Sequence, residues 1–123
     1  MELNQLATVE RHEAGAEFQL LNPATGEKED AIFKVQGTDA KAWRIAQKEQ
    51  RRKFEGQDEV DFFDHEYIWP MVASVIIGWK SLEKGGKDFP YSEKNAEWLC
   101  ENSPFVVNQL FAFIVDRNNF IAD

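Results

Sequence analysis

From Glu59 to Leu82 the chain carries Phe62, Phe63, Tyr67, Ile68, Trp69, Met71, Val72, Val75, Ile76, Ile77 and Trp79, and only Pro70 disturbs a continuous helical reading. A proline inside a helix removes one backbone donor and crowds the carbonyl four residues earlier. Two arrangements satisfy this. Either residues 59–68 form a separate turn and the main helix starts at Pro70, or one long helix kinks there, and the second is the expectation adopted. Acidic Asp58, Glu59, Asp61 and Asp64 suit both, because they lie at the positive end of the helix dipole. A second apolar band follows Ser103–Pro104, where a cap residue precedes proline at the first helical position. Its side chains, Phe105, Val106, Val107, Leu110, Phe111, Phe113, Ile114 and Val115, predict a helix from Pro104 to about Asn118, either buried or meeting another subunit.

Earlier in the chain the pattern changes. Phe18 and Leu20 alternate with polar neighbours, Ile32, Phe33 and Val35 do so less cleanly, and Pro23–Ala24–Thr25–Gly26 supplies a turn between them. This predicts a small β-hairpin, which needs further support because a two-stranded ribbon is marginal in water. Thr38–Asp39 offers a cap for a helix from Ala40 to about Phe54, whose thin apolar stripe of Trp43, Ala46, Gln50 and Phe54 leaves Lys41, Lys48, Arg51 and Arg52 solvated. Lys84 to Asp88 reads as a loop, and Ser92 caps a short helix through Cys100 with Trp98 and Leu99 on its buried side. Residues 1–15 show little periodicity and read as a mobile arm. The expected fold is therefore mainly α: a flexible arm over 1–15, a hairpin over 16–37, and a helical domain of three to four helices over 38–123.

So few helices must hide ten phenylalanines, four tryptophans and two tyrosines in 123 residues. Large aromatics anchor cores and interfaces alike, so the excess predicts self-association or a hydrophobic client. The formal charge of -8, from 22 acidic and 14 basic side chains, disfavours a phosphate-binding groove and an anionic membrane surface. Neither nucleic acid nor membrane is expected as a partner. The basic side chains are not scattered: six lie in residues 38–55 against three acidic ones. The longest apolar stretches fall far short of the roughly 20 residues that cross a bilayer, no basic-then-apolar leader opens the sequence, and the one cysteine forbids an intramolecular disulfide. A reducing cytoplasm fits these features.

Chemistry-bearing groups are sparse. Asp61, Asp64, His65 and Glu66 cluster, yet residue 69 is Trp where a metalloprotease pattern needs a second histidine, so the cluster reads as a solvated acidic helix start. Cys100 lies in an apolar helical run and reads as a buried small side chain. Gly85–Gly86–Lys87 is too short for a phosphate loop. Lys48, Arg51, Arg52 and Lys53 lack the interleaved aromatics that stack bases, which favours a solvated face or a patch meeting an acidic protein. No catalytic group, cofactor site or metal site is expected, and the chain reads as a binding protein rather than an enzyme.

Residues 76–120 resemble the tail assembly chaperones, sometimes described as minor tail proteins, of long-tailed, non-contractile bacteriophages and related prophages. The resemblance rests on Gly78–Trp79–Lys80–Ser81–Leu82 after an apolar segment, then Pro90–Tyr91–Ser92–Glu93–Lys94–Asn95–Ala96, the step from Leu99 to Pro104, and a helix ending near Asn119–Phe120. Pro23–Ala24–Thr25–Gly26–Glu27, a strand, Gly37 and a charged helix extend it toward the N-terminus. The resemblance implies a non-enzymatic protein of the host bacterial cytoplasm that holds the tape-measure protein soluble, promotes recruitment of tail-tube protein and leaves before the virion is complete. On that reading Trp43, Trp69, Trp79, Phe111 and Phe113 contribute to the core or the client surface, and Lys48, Arg51 and Arg52 meet acidic surface on a neighbour. The rival expectations are a structural tail or head–tail connector component retained in the virion, and a small regulatory module that sequesters one protein.

Overall fold

A computed structural model describes residues 1–121. Two short helices, α1 (Leu3–Leu6) and α2 (Val9–Ala14), precede strands β1 (Ala16–Leu21) and β2 (Lys28–Val35). Then come α3 (Lys41–Lys53), α4 (His65–Val75), β3 (Ile76–Lys80), the short pair β4 (Glu83–Lys84) and β5 (Lys87–Asp88), α5 (Glu93–Asn102), α6 (Pro104–Val115) and a 3₁₀ turn over Arg117–Phe120. The expected mainly α domain of three to four helices with an N-terminal hairpin is overturned. The fold is mixed α/β, with six α-helices and two small antiparallel sheets among the described residues.

The larger sheet has the order β1-β2-β3. A hairpin of β1 and β2 needs a third strand or a packed layer to be stable, and the apolar run supplies both at once. Its first part is α4; its second leaves the helix at Ile76 and pairs along β2, so the expected kinked helix to Leu82 does not form. The β-branched run Val75–Ile76–Ile77 followed by Gly78 favours the extended state. Gln36 N–H meets the carbonyl of Val75 at 2.8 Å and closes the junction. Register then aligns Phe18, Phe33 and Trp79 across the three strands on the inner face, while Glu17, Lys34 and Gly78 align on the outer one.

The helices cover that inner face. α4 sits at the centre, packed against α3, α5 and α6, and buries Tyr67, Ile68, Met71, Val72, Ala73 and Val75. α6 adds Val106, Val107, Leu110 and Ile114. α5 inserts Ala96 and Cys100, whereas Trp98, expected on the buried side, is 45% exposed and Leu99 is half-buried. The small residues at 96 and 100 let α5 approach α4 closely, which turns the bulky neighbours outward. Trp98 instead receives the ammonium of Lys84 over its ring at 4.0 Å. Gly85 and Gly86, both at positive φ, make the tight turn that brings β4 back along β5.

Asp64 caps α4 by accepting from Glu66 N–H at 3.2 Å, so Pro70 lies inside the helix rather than at its start. Its missing N–H orphans the carbonyl of Glu66. Gln50 of α3, only 5% exposed, answers this from outside the helix: its Nε2 donates to the Glu66 carbonyl at 3.3 Å and to the Tyr67 carbonyl at 2.9 Å. A buried carbonyl without a donor costs on the order of 1–3 kcal/mol. Replacing Gln50 by Leu is therefore expected to destabilise the fold by about 1–3 kcal/mol in urea unfolding. In a Pro70→Ala background, which restores the backbone donor, the same replacement should cost measurably less. Equal costs in both backgrounds would show that Gln50 is not compensating for the proline.

Candidate functional site

α3 lies along α4 like a ridge. Trp43, Ala46 and Gln50 point down into the core, and the helix periodicity throws Arg44, Gln47 and Arg51 to one flank and Glu49 to the other. On the first flank is a groove of about 610 Å³. Its floor and walls are aromatic: Trp43 stacks with Phe111 of α6 at 6.2 Å, and Phe63 meets Phe111 edge-on at 6.4 Å. Phe62 packs edge-on against Tyr67 at 5.1 Å. Phe62 and Phe63 are nevertheless 56% and 76% exposed, the two large aromatics most open to solvent among the described residues. Arg44, Arg51 and Arg117 stand on the rim.

One end of the groove is built around Asp39. Arg117 grips its carboxylate through two bonds of 2.7 and 2.8 Å, and the hydroxyl of Thr8 donates to it as well. Asp39 is thus used as an anchor for the chain's two ends, and not as the side-chain cap of α3; the cap position is Ala40. Arg117 chiefly, with Thr8, holds the Asp39 carboxyl at about 2. Beneath it lies His12, 2% exposed and stacked on Phe120 at 5.0 Å. Its Nδ1 accepts the Asp39 N–H at 2.9 Å, which leaves the other nitrogen to carry the proton in the neutral ring. Burial lowers the pKa of His12, against the opposing pull of Asp39. Gly37 makes this contact possible, since a Cβ there would stand 2.2 Å from His12 Nδ1. Residues 9–14, expected within a mobile arm, are helical and held through His12.

The electrostatic result is an unequal use of charge. Every ion pair among the described residues includes Asp39. Arg117 is committed there, Arg44 spends one N–H on the Asp39 backbone carbonyl at 3.2 Å, and Arg51 has no carboxylate partner among the described residues.

Of the eight interaction residues named from the sequence, the groove brings together Trp43, Arg51 and Phe111. Trp69 lies half-buried on the opposite flank of α3. Trp79 belongs to a half-buried aromatic cluster: it packs against Phe33, Phe89 and Tyr91, and its Nε1 donates to the Phe89 carbonyl at 2.7 Å. Phe113 joins α6 to β1, between Phe18 at 5.1 Å and Phe120 at 5.8 Å. Lys48 and Arg52 are exposed on the outward face of α3, away from the groove. Sequence reasoning missed Arg44, Arg117, Phe62 and Phe63 as groove residues. The last two carried a usable signal: two adjacent phenylalanines stand in an otherwise acidic stretch, among Asp58, Glu59, Asp61 and Asp64.

Reactive groups are not gathered anywhere comparable. His65 Nε2 meets the Glu101 carbonyl at 3.0 Å, Asp64 is a helix cap, and no three His, Cys, Asp or Glu residues among those described could hold a metal ion. Burial pushes the Cys100 thiol up to about 12, which suppresses its nucleophilic form near neutrality. No helix among the described residues is long and apolar enough to cross a membrane. Comparison with protein-family models, curated proteins and solved structures finds no match to this chain.

The Asp39 cluster dictates how stability follows pH. Unfolded His12 binds a proton below its ordinary value of about 6.5, whereas the folded chain resists it, so acidification through that region favours unfolding. A second loss is expected between about pH 4 and pH 2, where the Asp39 carboxylate is protonated more readily in the unfolded chain than in the folded one. Thermal melts across pH should show both steps. Asp39→Asn should remove the lower one, and a profile identical to the parent's would contradict the anchoring role.

Proposed function

We propose that this protein is a tail assembly chaperone of a long-tailed, non-contractile phage or prophage. In this reading it binds the tape-measure protein in the host bacterial cytoplasm, keeps it soluble while tail-tube protein is recruited, and is absent from the finished particle. One observation supports it above the others: an open aromatic groove whose rim carries Arg44 and Arg51, neither of which has a carboxylate partner among the described residues. A monomer that needed only its own core would bury Phe62 and Phe63 or replace them with polar residues.

The groove suits one stripe of an amphipathic helix, laid along α3 with apolar side chains on Phe63, Phe111 and Trp43. Acidic residues flanking that stripe would reach Arg51 and Arg44. Such contacts hold without clamping, because rim charges exposed to water contribute little each and are screened by salt. A chaperone that must leave its client benefits from that weakness. Client-bound, the acidic remainder of the surface keeps neighbouring complexes apart.

Co-expression with the long helical product of the largest neighbouring reading frame tests the reading. The parent chain should bring most of that client into the soluble fraction and be missing from purified particles. Phe63→Ala together with Phe111→Ala should cut the soluble client about tenfold, the effect of losing ~1–2 kcal/mol of anchor contacts. Arg51→Glu should act in the same direction while leaving the melting temperature nearly unchanged. Equal client solubility with and without the chain would refute the chaperone role.

A further inference from the structure

The second flank of α3 is the electrostatic opposite of the first. There a groove of about 550 Å³ runs over Trp69, Pro70, Ala73 and Ile77, and its rim is Glu49 of α3 with Glu93 and Glu97 of α5. The outward face of α3, between the two flanks, carries the complement. Lys41, Ile45, Lys48 and Arg52 repeat at four, three and four residues and so form one straight stripe, all exposed, with Ile45 alone and apolar among the cations. None of these basic or acidic side chains has an ion-pair partner among the described residues.

We infer that the Lys41–Ile45–Lys48–Arg52 stripe of one copy docks on the Glu49/Glu93/Glu97 groove of the next, so that copies associate head to tail. The occupant is a second copy because the two surfaces match in kind. Each has an apolar centre, Ile45 on one side and Trp69 with Ile77 on the other, and the charge along the stripe is basic where the charge on the groove's rim is acidic. Lysine and arginine stems can lie along the apolar floor while their charged ends reach the glutamates. The chain's cations are concentrated on this one helix, within a molecule of charge -8, so the stripe is the part of the chain best able to approach another copy's acidic rim.

Geometry decides the symmetry. Stripe and acidic groove sit about a quarter turn apart around α3, since Glu49 follows Lys48 by one residue and each residue advances roughly 100°. A surface that meets a different surface makes a heterologous contact, which closes into a ring or continues as a filament. The aromatic groove lies on the far flank and stays open in every copy, so the association is independent of which client that groove takes.

Sedimentation velocity of the full chain tests this. The weight-average mass should rise with concentration at low salt beyond that of a dimer and fall back in high salt. Lys48→Glu with Arg52→Glu should give a monomer, as should Glu49→Lys with Glu97→Lys, each with a parent-like circular dichroism spectrum. An equimolar mixture of the two variants should assemble again, because each stripe then faces a groove of opposite sign. A parent that stays monomeric, association that stops at a symmetric dimer, variants that assemble as the parent does, or a mixture that fails to recover would each overturn the inference. Phe63→Ala with Phe111→Ala should leave self-association unchanged, so loss of client solubility with intact assembly would count against the proposed function alone.

Discussion

A proline in the middle of the most buried helix leaves one carbonyl that the helix itself cannot satisfy. α4 cannot move that carbonyl to solvent, because Tyr67, Ile68, Met71 and Val72 around Pro70 are all packed inward. The donor has to come from a neighbour, and Gln50 is that neighbour's one buried polar side chain. This bond fixes where along α4 the α3 helix sits and which way it is rotated. Once Gln50 points down, the 3.6-residue period determines the rest: Trp43 and Ala46 join it, Arg51 and Arg44 fall on one flank, Glu49 on the other, and Lys48 with Arg52 on top. Two grooves of opposite charge are therefore consequences of one compensated backbone defect.

Polar interactions elsewhere in the molecule are concentrated in the same economical way. Asp39 gathers Arg117, Thr8 and the edge of His12, and through them it ties α2, the start of α3 and the 3₁₀ turn into one knot. Helices as short as α1 and α2 do not hold their shape alone. What holds α2 is tertiary: His12 stacked on Phe120 and lodged where Gly37 has no side chain. At the other edge of the sheet, the side-chain amide of Gln109 exchanges bonds with both the N–H and the carbonyl of Leu21, at 3.0 and 2.8 Å. It does for one residue of β1 what a further strand would do for its whole length.

These facts explain which parts of the fold were legible in the sequence. α3 carries periodicity, α5 the Ser92 cap and α6 the proline of residue 104, all local signals, and their observed limits lie within a few residues of the expected ones, although neither Asp39 nor Ser103 makes the side-chain cap bond expected of it. The β1–β2 pair likewise follows from alternation and the Pro23 turn. β3 was illegible because an unbroken apolar run looks the same as buried helix or buried strand; the open edge of β2, which decides the matter at Ile76, is a nonlocal fact. His12 was illegible for a similar reason, since nothing near it in sequence announces Gly37 or Phe120. At the candidate site, helical spacing placed Trp43 on the inner face of α3 and Arg51 off it. For Trp79 and Phe113 it left core and client surface both open, because aromatic residues that face a sheet and those that face solvent share one composition. Arg117 could not be found at all without knowing that the chain's end folds back on Asp39.

Leaving charge unpaired on α3 has a physical price that bears on how such a surface is used. Six basic residues within 38–55 repel one another, and Arg51, Arg52 and Lys53 are relieved only in part by the dipole at the C-terminal end of the helix. The same chain holds 22 acidic groups, more than enough to neutralise that helix from within. The one bidentate carboxylate–arginine pair among the described residues instead joins Asp39 and Arg117. A contact made to α3 from outside would gain the relief of that repulsion in addition to its own attraction. Because the attraction is between exposed groups, it falls off within about 10 Å at 0.1 M salt and is quickly lost when contacts separate. A surface so arranged favours many weak, renewable contacts along an extended partner over one permanent contact at a single point.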